Sequence, residues 1–286
     1  MDFFPDRAFV RLRNRAYGTY LYADDDGAGV ILKPQRGSLQ TAWQVHRVWR
    51  HDRIYILLHS AAYGRYLAVS RVTTWVDTRH HANLTVQGVY ETPEQDDVLW
   101  EAAYVDNVHV VMLQASHRLL RASTQNTTFF RYVFVDHPGH YYGTMMHWTV
   151  EAIPARPLPC PSAFPIPVPT DQSATSARMI FYRRADDYGN VNPLSRSRCK
   201  FFGYSLLRLR AHLAMLLKEP IHRITLCVRA GSQGRPTPLV IDLPSNHQNI
   251  EIIVLTTLSP GSLGISVFIT DCNVKVYTKC NNYWIH

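Results

Sequence analysis

Three stretches of the chain alternate apolar and polar residues in the same way. Val10 and Leu12 alternate with Arg11 and Arg13 in the first; Ile54, Ile56 and Leu58 mark the second, and Val108, Val110 and Met112 the third. A period of two sends successive side chains to opposite faces, so each stretch predicts a strand with one face buried. Each strand runs into a turn and a second apolar stretch: FVRLRNRAYGTYLYAD over Phe9–Asp24, IYILLHSAAYGRYLAVS over Ile54–Ser70 and VHVVMLQASHRLLRAS over Val108–Ser123. We read each as a hairpin. Gly18 and Gly64 suit turns that need positive φ, which only a residue lacking Cβ adopts freely. The third copy is shorter and has His117-Arg118 where the others have Tyr-Gly, so its turn must be built differently.

A tryptophan and a short apolar run follow each copy: Trp43, Trp100 and Trp148. Measured at Leu21, Leu67 and Leu120, the copies are 46 and 53 residues apart. That spacing exceeds a leucine-rich or ankyrin unit, and three copies are too few for a propeller. Three four-stranded units closing on one another predict an all-β trefoil over 1–153, with the tryptophans in equivalent core positions.

The pattern then breaks. Seven of the sixteen residues from Pro154 to Pro169 are proline, and polar residues follow to Ala177, which predicts a linker over 154–177. Pro154–Pro157 fits PxxP, a pattern that proline-rich linkers produce without being ligands. Beyond the linker the periods mix. Arg178–Arg183 and Cys199–Phe202 read as strands around a turn at Ala185–Asn190. Ser205 is placed as an N-cap, Leu206, Leu209, Leu213 and Leu216 recur at helical spacing, and Pro220 stops the helix. Strands follow at Ile224–Val228, Leu239–Leu243 and Ile250–Thr256. The order ββαβββ predicts a small α+β, β-grasp-like domain over 178–257, followed by a tail over 258–286.

Charge sharpens this division. Residues 1–155 hold 15 Lys and Arg against 15 Asp and Glu; residues 156–286 hold 15 against 7, so the net +8 lies in the second half. Arg183, Arg184, Arg196, Arg198, Lys200, Arg208 and Arg210 cluster there and would attract phosphate if they shared a face. Phe201 and Phe202 read as core, so the cluster is first a solvated sheet face. Five cysteines (Cys160, Cys199, Cys227, Cys272, Cys280) without CxxC spacing point to a reducing compartment. The opening MDFFPDRAFVRLR lacks a signal-peptide core, so a cytoplasmic location is expected and the sequons at Asn83 and Asn126 are expected to stay unmodified. Ile252–Thr270 lacks charge, but Pro260, Gly261 and Gly264 interrupt it, which argues against a membrane anchor.

The repeated signature, apolar-x-Leu…Tyr-Gly-x-Tyr-Leu-x-Ala followed by Trp-x-Val, resembles the fascin-type, actin-cross-linking-like β-trefoil. More narrowly, MDFF, VRLR…YLYADDDG and AWQV resemble the plant family built on domain of unknown function 569. ADDYGNV and ITLCVRAGSQGRPTPLVIDLP resemble the ubiquitin-like module found with that family in grasses. Ricin-type lectins carry Gln-x-Trp in each lobe; here Thr41-Ala42, Val98-Leu99 and Met146-His147 precede the tryptophans, so galactose binding is not implied.

Candidate chemistry is sparse. Asp24-Asp25-Asp26-Gly27 lacks the alternation of a calcium loop and reads as a solvated turn. His80-His81 and His137-Pro-Gly-His140 lack a third ligand at metal spacing. HExxH, GxSxG, P-loop and GxGxxG patterns are missing, so no catalytic residue, cofactor or metal is assigned. The expectation is a non-enzymatic binding or scaffold protein with a protein partner, actin being implied by the resemblance. Its alternatives are a glycan- or lipid-headgroup-binding module and nucleic-acid association through the basic second domain; the reading favours neither a nucleic-acid nor a membrane partner.

Overall fold

The computed structural model describes residues 3–50, 52–75, 81–124, 131–137, 139, 143–154, 177–186, 190–192, 194–246 and 248–256. Residues 155–176 of the linker, the whole tail over 258–286, Asn126, His80, His140, Cys160, Cys272, Cys280 and part of the Ala185–Asn190 turn lie outside them.

The first unit contains β1 (Phe9–Asn14), β2 (Tyr20–Ala23), β3 (Val30–Lys33), β4 (Trp43–Arg50), β5 (Arg53–Ser60) and β6 (Tyr66–Trp75). It continues with β7 (His81–Gly88), β8 (Trp100–Tyr104), β9 (His109–Gln114), β10 (Leu119–Thr124), β11 (Arg131–Asp136) and β12 (Trp148–Ile153). Six strands close into a barrel in the order β1, β4, β5, β8, β9, β12 and back to β1. The other six form hairpins β2–β3, β6–β7 and β10–β11. These are tied to one another through Gly29–Val86, Leu84–Phe134 and Ile31–Tyr132. This is the β-trefoil expected from the repeats.

The repeated stretches pair only next to the turn, however, which narrows the reading of each as a hairpin. Within each copy the two strands share one register pair, Arg13–Tyr20, His59–Tyr66 or Leu113–Leu119, and then part. The first strand joins the barrel and the second pairs with the strand after it. Periodicity sees both strands but not the bend that sends them to different layers.

Threefold equivalence is close in the core. Val10 pairs with Trp43, Ile56 with Trp100 and Val110 with Trp148. All three tryptophans are fully buried. Their indole N–H groups donate to the carbonyls of Leu21 (3.1 Å), Leu67 (2.9 Å) and Leu120 (3.1 Å). Each tryptophan thus fills the barrel while satisfying a carbonyl that burial would otherwise orphan.

The turns between first and second strands show how the third lobe was shortened. In lobe one the Asn14 N–H donates to the Thr19 carbonyl and the Gly18 N–H to the Asn14 carbonyl; Ser60, Arg65 and Gly64 repeat this in lobe two. In lobe three the Gln114 N–H reaches the Arg118 carbonyl across one residue fewer, and the His117 N–H returns to Gln114. His117 takes φ 62°, beside 64° at Gly18 and 65° at Gly64. The left-handed position survives without the glycine.

The second unit comprises β13 (Ala177–Arg184), β14 (Ser197–Phe202), α1 (Leu206–Leu217), β15 (Ile224–Val228), β16 (Thr237–Pro238) and β17 (Ile250–Thr256). The sheet order is β14-β13-β17-β15-β16, with β13 and β17 parallel. Ile180, Phe201, Leu209, Leu213, Leu226, Ile252 and Val254 form the core between helix and sheet. The Ser205 hydroxyl accepts from the Arg208 N–H, and Lys218 ends the helix in the left-handed conformation, two residues before Pro220.

Two details differ from the sequence reading. Leu216 is exposed and Leu217 packs on the core instead, since 3.6 residues per turn carries the stripe past position 216. The fourth strand is Thr237–Pro238 rather than Leu239–Leu243. After one ladder bond from the Leu239 N–H to Leu226, the chain turns toward the helix start, where the Asp242 carboxylate accepts from the Leu206 N–H (2.8 Å). Leu239 and Leu243 still enter the core.

Candidate functional sites

One end of the barrel is finished with apolar side chains that water reaches. Along β4, Trp43 and Val45 point inward and are fully buried. Period two gives Trp49 the same inward parity, but it pairs with Ile54 close to the β4–β5 turn and is 74% exposed. Ile54 on β5, Tyr104 on β8 and Val108 before β9 repeat this, inward in parity and exposed in fact, Tyr104 by 59%. Phe4 is buried and its carbonyl accepts from Arg47 Nε (2.7 Å), while the Phe3 ring lies 5.4 Å from that of Tyr104. The inner face of the barrel therefore continues into an apolar rim.

Polar groups hold the rim's turns. Asp106 accepts from the Val108 and His109 N–H groups (2.8 Å each) and pairs with His109 Nδ1 (2.9 Å). The Val108 amide, then the His109 imidazole and the His109 amide, hold its carboxyl down at about 2. Arg50 pairs with Asp96, and Arg53 lies 3.7 Å from Glu101.

The triple-aspartate turn is knitted internally. Asp26 Oδ1 accepts from the Ala28 and Gly29 N–H groups (2.8 Å each), Asp24 Oδ1 from the Asp25 N–H (2.8 Å), and Asp25 Oδ2 meets Lys33 Nζ (3.2 Å). Asp25 Oδ1 accepts from the Tyr22 hydroxyl (3.0 Å) and Gln40 Nε2 (3.1 Å). Burial raises the Asp24 carboxyl above its ordinary value, and burial with Asp25 nearby pushes Tyr63 up to about 12. The three carboxylates address different partners rather than a common point. Among the described residues, no group of three or more His, Cys, Asp or Glu could hold a metal ion. The His81 ring lies tilted against Trp75, with ring centroids 3.7 Å apart. The Asn83 amide donates to the Ser70 carbonyl (2.9 Å) and its oxygen accepts from Arg118, so both ends of that sequon side chain are engaged.

Equivalent sites in the three cap hairpins carry three different chemistries. Lys33 Nζ lies 4.1 Å over the Tyr22 ring in lobe one. In lobe two the corresponding residues are Ala68 and Gly88, and a Cβ added at Gly88 would meet the Ala68 Cβ at 2.7 Å. In lobe three Arg121 Nε meets Asp136 Oδ2 at 3.1 Å, with both side chains almost wholly buried.

The seven basic residues do not share one surface. Arg184 pairs with Glu219 (2.6 Å), and Arg208 and Arg210 belong to α1. Arg198 and Lys200 lie on the sheet face opposite the helix, as Cys199 and Phe201 between them pack on the helix-side core. Register places Arg183 there too, beside Glu251 (2.6 Å). The Arg196 guanidinium lies 3.9 Å over the Phe181 ring and 3.9 Å from Glu251. Phe202, read as core, is 49% exposed on this face, with Lys200 Nζ 5.3 Å over its ring. Strand alternation is the signal that separates it from Phe201. Toward β15 the same face closes over Ala185, Cys227, Ile253 and Leu255; burial pushes the Cys227 thiol up to about 12.

A closed three-lobed barrel, carried in one chain with a helix-over-sheet unit of ubiquitin type, defines a two-module β-trefoil protein. The family model described as beta-trefoil domain of unknown function (DUF569) matches residues 1–150, and the model of the DUF569 associated ubiquitin-like domain matches 176–255. The chain belongs to the DUF569 family.

Solved structures similar to the chain include the designed threefold-symmetric protein ThreeFoil, at 20% identity over 50% of this chain and 96% of that one, with a TM-score of 0.39. The Macrolepiota procera ricin B-like lectin in complex with lactose matches at 17% identity over 51% and 96%, TM-score 0.40. The SDF2-like protein from Arabidopsis thaliana matches at 10% identity over 52% and 94%, TM-score 0.44. At these scores the matches carry no argument about a ligand. Comparison with curated proteins returned no match. Among the described residues no helix is long and apolar enough to cross a membrane.

Proposed function

We propose that the chain is a non-enzymatic binding scaffold whose trefoil engages a protein partner at the apolar rim of its barrel. The observation that carries this is the run of inward-parity side chains, Trp49, Ile54, Tyr104 and Val108, that emerge into solvent. Large aromatic residues with arginine beside them, here Arg50 and Arg53, are the residue types that dominate protein-interface energetics. Exposed side chains contribute little to the fold, so function is the more economical reason for keeping them apolar.

Proximity labelling should compare the parent chain with a Trp49→Ser, Tyr104→Ser double variant of unchanged thermal stability. A defined set of partners lost in the variant is expected; an unchanged set would remove the proposal. Actin association rests on the fascin resemblance alone, and co-sedimentation with filaments tests it directly: no pelleting at micromolar protein disposes of it. The glycan or lipid-headgroup alternative rests on the trefoil class and is addressed by a glycan array and liposome flotation.

A further inference from the structure

The exposed part of the sheet face opposite α1 combines flat rings with cations, two of which, Arg198 and Lys200, meet no carboxylate among the described residues. Phe202, Lys200 and Arg198 are exposed and follow one another at every second position of β14, so they form a row along the strand. Across the ladder Lys200 pairs with Met179 and Arg198 with Phe181, and Phe181 carries the Arg196 guanidinium flat above it. Among the described residues no carboxylate lies within ion-pair distance of Arg198 or Lys200. Glu251 is shared by Arg183 and Arg196, so among the described residues four cations of this face stand against one carboxylate. The buried Nε of Arg183 finds no acceptor.

From these observations we infer that this face binds single-stranded RNA. A solvated face needs cations but not a half-exposed phenylalanine among them. Unpaired bases have planar faces that stack on aromatic rings and on guanidinium planes, while phosphates between them answer uncompensated Lys and Arg. Phe202 and the Arg196–Phe181 pair supply two stacking planes, and Arg198 and Lys200 lie between them. A duplex hides its base faces and cannot use either plane. Glu251 adds an acceptor amid the cations. Phosphate has no proton to give it, but a ribose 2′-hydroxyl has, which favours RNA over DNA.

The test is fluorescence polarisation of the full chain with a labelled uridine oligomer of about 12 nucleotides, a length within the usual site size of such surfaces. Binding should weaken steeply with salt, and the same oligomer in DNA, an RNA duplex and heparin should each bind more weakly. Phe202→Ala should lower affinity about fivefold to a hundredfold, the range for loss of one base–aromatic stack. Arg198→Gln with Lys200→Gln should reduce the slope of log K against log salt by about 1.4, roughly 0.7 for each phosphate no longer neutralised. Circular dichroism of each variant should match the parent, as these side chains are exposed. Absence of binding, an unchanged affinity in folded Phe202→Ala, or equal binding of heparin or duplex would overturn the inference. Equal binding of the DNA oligomer would overturn its assignment to RNA.

Discussion

Lobes two and three of the trefoil solve the same problem in different ways. In both, a buried tryptophan of the barrel donates to a leucine carbonyl in the first strand of the cap hairpin. At the matching cap positions, lobe two packs Ala68 directly against Gly88, while lobe three has the buried pair Arg121–Asp136. At the turn, Gly64 in lobe two is His117 in lobe three, on a loop one residue shorter. The interior of a closed barrel leaves no freedom in the shape that fills it. The cap and turn need only be filled and satisfied, and several chemistries suffice.

The largest expected effect tests the shared part. Trp100→Ala and Trp148→Ala should each cost about 3–5 kcal/mol in urea denaturation, since each removes a large core side chain and strands a carbonyl. The two losses should agree to within about 1 kcal/mol if the lobes are energetically equivalent. A much smaller loss at Trp148 would mean that the third lobe is not held by its tryptophan.

Next come the differing parts. Asp136→Asn leaves Arg121 charged and buried, and should destabilise by about 3 kcal/mol or more. Gly88→Ala forces two Cβ atoms together and should cost about 1–3 kcal/mol. Lys33→Met in lobe one removes a partly exposed cation that lies over a ring and pairs with Asp25, and a loss of about 1 kcal/mol is expected. Equal losses at all three sites would contradict the contrast.

At the turns, Gly64→Ala should cost about 1 kcal/mol, because alanine resists φ 65°, whereas His117→Gly should be neutral or stabilising. Thermal denaturation of both separates these outcomes, and destabilisation by His117→Gly would show that the imidazole has a role beyond its backbone.

The smallest expected effect is on pH dependence. Burial, followed by Arg15 and His109, lowers the His147 pKa below 6.5. Between the folded and unfolded values the unfolded chain binds more protons, so stability should fall as pH drops through the window just below 6.5. His147→Gln should flatten that part of the profile measured by denaturation; an unchanged profile would assign the acid response to other groups.

Much of this architecture is legible in the sequence, because the three tryptophans and the period-two stretches record constraints set by burial. What pairing follows each turn is not legible. Val69 has the same alternation whether its stretch pairs backward with β5 or forward with β7, and only the folded cap shows that it pairs with Thr85 of β7. The separation of Phe201 from Phe202 was available in strand parity, yet composition alone makes both look like core. The rim was hidden for another reason: Trp49 and Ile54 continue the barrel's own pattern, and their exposure depends on where the barrel ends.

Closure of the barrel also bears on how the chain meets other chains. Its six strands pair in a closed order, so the ring has no terminal strand to which an extended peptide could be added. The five-stranded sheet does have two margins, and both are blunted. β16 is two residues long and its Pro238 has no N–H to offer, while β14 carries Arg198 and Lys200. Strand addition, the commonest route from native sheet to fibril, is thus discouraged on both units, and a partner has to recognise faces and rims instead.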